Sequence, residues 1–240
     1  MIEAVHFDWG DTLMPYDSQA DDAFVHARTV AGLAALDGRV NVTPEAIAGW
    51  FREHFDELFA SDAEEDFDHL EMLARCFRDL GAELSEADVR VYAEASLWEG
   101  EILLFPHAHA LLDALRARGL KTAIVSNTSV PGWLLEPVLE KQGLASRIDA
   151  AVFSSDVGKR KPHPLIFERA VEEVGVPAER TLFVGDRLRQ DVRGARDAGM
   201  VTVQALWSRA DEHPDGAEPD FEAYTMMDVL NIAARLNEAR

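Results

Sequence analysis

Asp186 and Asp191 stand five residues apart in Val184-Gly185-Asp186-Arg187-Leu188-Arg189-Gln190-Asp191, directly after the apolar run Thr181-Leu182-Phe183-Val184. The run reads as a short buried strand that delivers both acids into a loop. Carboxylates at the carboxyl end of a parallel strand lie where α/β sheets bind ligands. Two acids at this spacing can hold a hard divalent cation, directly and through water, and that cation is most often Mg²⁺. Three other segments carry matching chemistry. The strand candidate Ile2-Glu3-Ala4-Val5-His6-Phe7 runs into Asp8-Trp9-Gly10-Asp11-Thr12-Leu13. Leu120-Lys121-Thr122-Ala123-Ile124-Val125 ends in Ser126-Asn127-Thr128. A basic loop, Gly158-Lys159-Arg160-Lys161-Pro162-His163-Pro164, precedes a helical run. In order, these supply a nucleophile-capable carboxylate, a hydroxyl donor, a cation and a metal-binding acid pair, the parts that phosphoryl transfer needs.

Such groups converge only if the strands that carry them lie side by side. From about residue 120 the pattern alternates: strand 120–125, helix 131–142, strand 149–153, helix 164–174, strand 180–184, helix 190–198 and strand 200–205, with a last helix over 225–238. That alternation predicts an α/β fold with a parallel, three-layer core. Between Leu13 and Lys121 the strand pattern stops. Residues 18–37, 44–61, 63–80 and 86–98 read as amphipathic helices; in the second, Ile47, Trp50, Phe51, Phe55 and Phe59 make one apolar stripe. Thr43-Pro44-Glu45 and Ser85-Glu86-Ala87-Asp88 look like helix starts, and Gly81 and Gly100 suit helix ends. Pro106 opens a further helix through His107 to Arg118, and residues 209–220 form a polar surface loop.

With its motifs in this order, the chain resembles the haloacid dehalogenase (HAD) superfamily, in particular phosphatase-like members with a helical cap after the first strand. The resemblance covers nearly the whole chain and rests on Asp8 to Leu13, Ser126, Lys161 and Gly185-Asp186 to Asp191, with Arg193 to Met200 similar to the helix that follows. It implies a Rossmann-like HAD core at 1–15 and 100–240 with the cap at 16–99. By the same resemblance Asp8 is the nucleophile that forms an aspartyl-phosphate, and Mg²⁺ is held by Asp8, the Gly10 backbone carbonyl, Asp186 and Asp191. Ser126 and the Asn127 amide would contact phosphoryl oxygens, Lys161 would neutralise charge beside Asp8, and the Thr12 hydroxyl would support the loop. Trp9 is expected beside the nucleophile, its amide toward phosphate and its ring open to substrate. Asp191 has a second role open to it, as the cap of the following helix. His163, between prolines, is expected to stiffen its loop.

Gly10 departs from the family pattern. HAD phosphatases usually carry a second Asp two residues after the nucleophile, which protonates the leaving group; here the acid stands one place later, at Asp11. Neighbouring positions in a turning loop point different ways, so Asp11 reads as a turn residue more readily than as a substitute acid. Loss of general acid–base help typically costs ~10²–10⁴-fold in rate. The reading is therefore a Mg²⁺-dependent phosphatase of a small phosphorylated metabolite. Its rival is a non-catalytic or very slow HAD-like protein that binds a phospho-ligand or a partner. A 2-haloacid dehalogenase fits less well, since both metal-site acids are present. A phosphonoacetaldehyde hydrolase needs a cap lysine, and the chain has none before Lys121. Phosphomutases of the family depend on the acid that Gly10 replaces.

Composition narrows the field further. The formal charge is −21, which argues against nucleic acid, whose binding rests on Lys and Arg. Lys159 and Lys161 are two of only four lysines, against nineteen arginines, so the basic loop is not a by-product of composition. Cys76 is the single cysteine, leaving no internal disulfide and no cysteine-built metal site. With no apolar run near the ~20 residues needed to span a bilayer and no leader-like segment, the expectation is a cytoplasmic monomer or homodimer without membrane contact.

Overall fold

The computed structural model describes the 240-residue chain outside residues 16–21, 55–56, 58–63, 98–102, 209–216 and 239–240. Its centre is a six-stranded, wholly parallel sheet: β1 (Ala4–Phe7), β2 (Lys121–Ser126), β3 (Ala150–Phe153), β4 (Thr181–Gly185), β5 (Val201–Ala205) and β6 (Phe221–Ala223), in the order β3-β2-β1-β4-β5-β6. β1 and β4 are buried along their whole lengths, which is why their sequences are near-continuous apolar runs rather than alternating ones. Alternate residues still divide between two layers. Val5, Phe7, Ile124, Leu182, Val184 and Val203 join one core cluster. Val125, Val152 and Phe183 join a second.

Helix α5 (Ala108–Ala117) packs on the first face with the C-terminal helix α10 (Met226–Glu238). On the second face lie α8 (Pro164–Val174) and the short α9 (Gly194–Asp197), while α6 (Gly132–Lys141) and the single turn α7 (Ser154–Val157) flank β3. α8 has Pro164 in its first turn, His163 as its cap and Gly175 in the left-handed conformation at its end, the Pro-first, Gly-last asymmetry expected of helices. The last strand, β6, has no counterpart in the sequence reading. Three residues beside a turn-rich loop are too few to show a period.

Between β1 and α5 four helices run in sequence: α1 (Asp22–Ala35), α2 (Pro44–Glu53), α3 (His69–Asp79) and α4 (Glu86–Ser96), with α1 against α4 and α2, and α3 against α4 and α2. Ile47 and Trp50 are buried as the apolar stripe predicts, whereas Phe55, Phe59 and Gly100 lie outside the described residues. Gly81 follows α3 at φ +79°, the helix-ending role expected of it. The third predicted helix, 63–80, begins too early. The Asp68 carboxylate accepts from Leu70 N and Glu71 N and starts α3 at His69, while residues 64–66 run alongside 158–160 instead. His107 is likewise not helical; it stands before α5 at φ +76°. Among the described residues no helix is long and apolar enough to cross a membrane.

Candidate active site

Parallel strands present their carboxyl ends on one edge of a sheet, and there the chain places Asp8 after β1, Ser126 at the end of β2 and Asp186 after β4. Asp8, Asp186 and Asp191 are all buried, and one carboxylate oxygen from each lies within 4.8 Å of the others. Lys161, 2% exposed, arrives from the loop before α8. Its Nζ donates to Asp8 Oδ1 and to Asp191 Oδ1, each at 2.6 Å. The predicted acid pair, nucleophile-capable acid and cation thus meet at one point.

Asp191 reaches the cluster through an unusual turn. The segment predicted as helix 190–198 is a π-helical turn over Leu188–Arg193, followed by α9. Val192 N donates to Arg187 O at 3.2 Å, across five residues, and turns of this kind gather at functional sites. Asp191 Oδ2 accepts from Arg187 N at 2.9 Å, which closes the loop on itself. Asp191 therefore does not cap the next helix, which has no side-chain cap. Gly185 is required by the same fold-back: a Cβ there would lie 2.4 Å from Asp191 Cβ. Gly194 is required where α9 meets the basic loop, since a Cβ would fall 2.9 Å from Pro162 Cα and 2.7 Å from the Phe167 ring.

Burial sets the electrostatics. It pushes the Asp8 carboxyl up to about 6; Lys161 opposes that shift and Asp191 adds to it. For Lys161, burial works against the charge, but Asp191 and Asp8 outweigh it and hold the ammonium above its ordinary value. Three buried carboxylates gather their negative charge in one desolvated place. A hard divalent cation suits that charge and that all-oxygen donor set. The residues present therefore fit Mg²⁺.

The remaining predicted residues take varied places. Asn127 uses its side chain rather than its amide alone: Oδ1 accepts from Lys161 N at 2.7 Å and Nδ2 donates to Lys161 O at 3.0 Å. Ser126 is buried beside it. Trp9 lends its amide to the Asp8 carboxylate, but its ring is buried against Phe153, centroids 5.9 Å apart, and is not open to substrate. Thr12 supports the loop through its carbonyl, which accepts from Trp207 Nε1 at 2.9 Å; its hydroxyl is buried without a hydrogen-bond partner among the described residues. Asp11 sits at φ +58°. Its amide donates to Met14 O at 2.6 Å, its carbonyl accepts from Ser208 Oγ at 2.5 Å, and it is not one of the clustered acids. Gly10 pairs with Met14 in the same turn. His163 Nδ1 accepts from Leu165 N at 3.2 Å, the loop-stiffening role expected of it. Reading from sequence missed the clamp made by the Asn127 side chain and also Ser154, which is fully buried where β3 ends and accepts from Thr128 N at 2.8 Å. Serine and asparagine after a strand are too common as turn residues to single either one out.

The parallel sheet agrees with the comparisons to known proteins. A model of the haloacid dehalogenase-like hydrolases matches residues 2–199. The chain is 31% identical over 240 residues to a glyceraldehyde 3-phosphate phosphatase of Methanopyrus kandleri, covering 98% of this chain and 99% of that one. It is 32% identical over 142 residues to a phosphoglycolate phosphatase of Escherichia coli, covering 59% and 54%. The crystal structure of a 2-haloacid dehalogenase from Pseudomonas syringae superposes with a TM-score of 0.69 at 22% identity, over 98% of this chain and 100% of that one. The chain belongs to the haloacid dehalogenase-like hydrolases and is a hydrolase of that family.

Proposed function

We propose that the chain is a Mg²⁺-dependent phosphatase of a small phosphorylated metabolite, working through an aspartyl-phosphate on Asp8. The observation that carries this reading is the position of Lys161, buried between Asp8 and Asp191 at 2.6 Å from each. A phosphoryl group arriving at Asp8 would meet an ammonium already held against the attacking carboxylate, as charge stabilisation of this transfer requires. Asp8, Asp186, Asp191 and the Gly10 carbonyl would hold Mg²⁺, which when bound neutralises charge on the phosphoryl oxygens. Residues 16–99 act as the cap, with 1–15 and 100–240 as the core.

In the first step an Asp8 oxygen attacks phosphorus, the bond from phosphorus to the leaving oxygen breaks, and that oxygen leaves with the electron pair. Lys161 holds Oδ1, so Oδ2 is the oxygen that the lysine leaves for attack. Ser126 donates to a phosphoryl oxygen, with the Asn127 amide beside it. In the second step water attacks phosphorus, the acyl-phosphate bond breaks, inorganic phosphate leaves and Asp8 is restored. Gly10 offers no proton to the departing oxygen. Leaving groups that are stable as anions are therefore favoured, and alkyl esters react slowly.

The test is Mg²⁺-dependent release of phosphate from p-nitrophenyl phosphate, glyceraldehyde 3-phosphate and phosphoglycolate, with Asp8→Asn as the control. Turnover that the substitution abolishes supports the reading, and fast turnover of the two alkyl esters locates a proton donor outside Gly10. Phosphate binding without turnover of any of the three favours the second reading, a phospho-ligand-binding protein. What favours that second reading is Gly10 itself, where the family's proton donor would stand.

A further inference from the structure

Residues 64–66, just before α3, lie along the loop that leads to Lys161. Glu65 and Lys159 form an antiparallel bridge, Arg160 N donates to Glu64 O at 2.9 Å, and Lys159 Nζ lies 2.8 Å from Glu65 Oε1. The ion pair is exposed on the Glu65 side and contributes little by itself. Asp66 is better placed. One of its oxygens accepts from Phe67 N at 3.0 Å, and the other receives a hydrogen bond from Ser154 Oγ.

Ser154 has one hydroxyl proton and two candidate acceptors, Asp66 and Thr128 O. Thr128 O already accepts from Ser155 N at 3.1 Å, and a carboxylate is the stronger acceptor. The proton therefore goes to Asp66, which turns the Ser154 lone pairs toward Thr128 N, 2.8 Å away. Thr128 follows Ser126 and Asn127 directly. One carboxylate of the helical insert thus touches the loop of the hydroxyl donor, while its own segment lies on the loop of the cation.

We propose that Asp66 is a positioning residue, which couples the seating of the helical insert to the geometry of Ser126, Asn127 and Lys161. The proposal rests on the phosphatase reading for its kinetic consequence but not for its structural one. With p-nitrophenyl phosphate and Mg²⁺, Asp66→Ala lowers kcat about tenfold with KM within about twofold, since misplaced catalytic groups lose rate rather than uniform binding. Asp66→Asn keeps an acceptor for the Ser154 hydroxyl and recovers most of the loss. Amide hydrogen exchange of the full chain reads the coupling directly: in Asp66→Ala, Thr128 and Arg160 exchange about tenfold faster, while Leu182 to Val184 are unchanged. Unaltered kcat, no rescue by Asn, or acceleration across the whole sheet overturns the proposal. If the wild-type protein hydrolyses nothing, the phosphatase reading fails by itself. Exchange at Thr128 and Arg160 then still decides, with faster exchange supporting the coupling and unchanged exchange overturning it.

Discussion

Asn127 and Lys161, thirty-four residues apart, hold each other by two reciprocal hydrogen bonds between one side-chain amide and the other's backbone, at 2.7 and 3.0 Å. The lysine that bridges two carboxylates therefore has its backbone fixed by the residue next to Ser126. Asn127→Ala leaves a buried amide and carbonyl without partners, at a cost of about 1–3 kcal/mol. The expected outcome is a lower midpoint in urea together with a fall in kcat. Full activity in Asn127→Ala would show that Lys161 is held by other means.

Lys161 is the counter-charge of a buried acid cluster. Removing one partner of such a set costs about 3–5 kcal/mol, because the charges left behind stay desolvated. Lys161→Met should lose stability of that order in metal-free buffer and regain part of it when Mg²⁺ is added. The pKa of Lys161 is raised in the folded state. Its contribution is therefore complete below the ordinary lysine pKa and lost only as pH climbs through the raised value, so the lysine's own titration adds no pH dependence near neutrality. Without Lys161, however, the Asp8 carboxyl rises further above about 6, so the difference between variant and wild type should narrow as pH falls and Asp8 takes up its proton. Denaturant titrations at several pH values measure it.

Mg²⁺ should stabilise the folded chain by mass action. At a hundred times Kd the gain is about 2.7 kcal/mol, which for a chain of this size raises Tm by roughly 5–10 °C. Asp186→Asn removes one of the three clustered carboxylates and should abolish most of the shift. Thermal scans with and without Mg²⁺ measure it.

His6 predicts an acid-sensitive core. It lies in the middle of β1, paired in register with Ala123 and Phe183, and neither ring nitrogen has a hydrogen-bond partner among the described residues. Burial lowers its pKa to about 4. Between that value and the ordinary 6.5, the unfolded chain binds a proton that the folded chain refuses, so stability falls as pH falls through this window, by up to about 3 kcal/mol. Asp8, with its raised pKa, acts in the opposite direction, so the check is the difference between wild type and His6→Val. That difference should shift in favour of the variant between pH 6.5 and 4.

Gly10→Asp should restore a proton donor. Gly10 is not among the positive-φ residues, so its backbone conformation does not oppose a side chain. The expected change is a rise in the ratio of alkyl to aryl phosphate turnover, within the ~10²–10⁴ range of general acid catalysis. An unchanged ratio would mean that the proton already comes from elsewhere.

The site's acids are legible in the sequence because Asp8 and Asp186 each follow a mostly apolar run, with Asp191 five residues beyond Asp186, and a buried parallel strand has a direction that exposes its end. The sheet and its helices follow from the same alternation. Features set by long-range contact are not legible in this way. The start of α3 moved to His69 because Asp68 caps it and residues 64–66 pair with a loop about ninety positions away. The π-helical turn at Leu188–Arg193 depends on Asp191 folding back onto Arg187 N, and helical periodicity alone does not distinguish it from an ordinary helix. That Trp9 packs beside the nucleophile is legible in the sequence, but its ring partner, Phe153, is not.

The central claim is that Asp8 takes up the phosphoryl group. The direct measurement is acid-quenched mass spectrometry during turnover of p-nitrophenyl phosphate with Mg²⁺, comparing wild type with Asp8→Asn. The account predicts one added phosphoryl group in the peptide containing Asp8, absent from the variant. Steady turnover with no such adduct, or with the adduct on another residue, would contradict it.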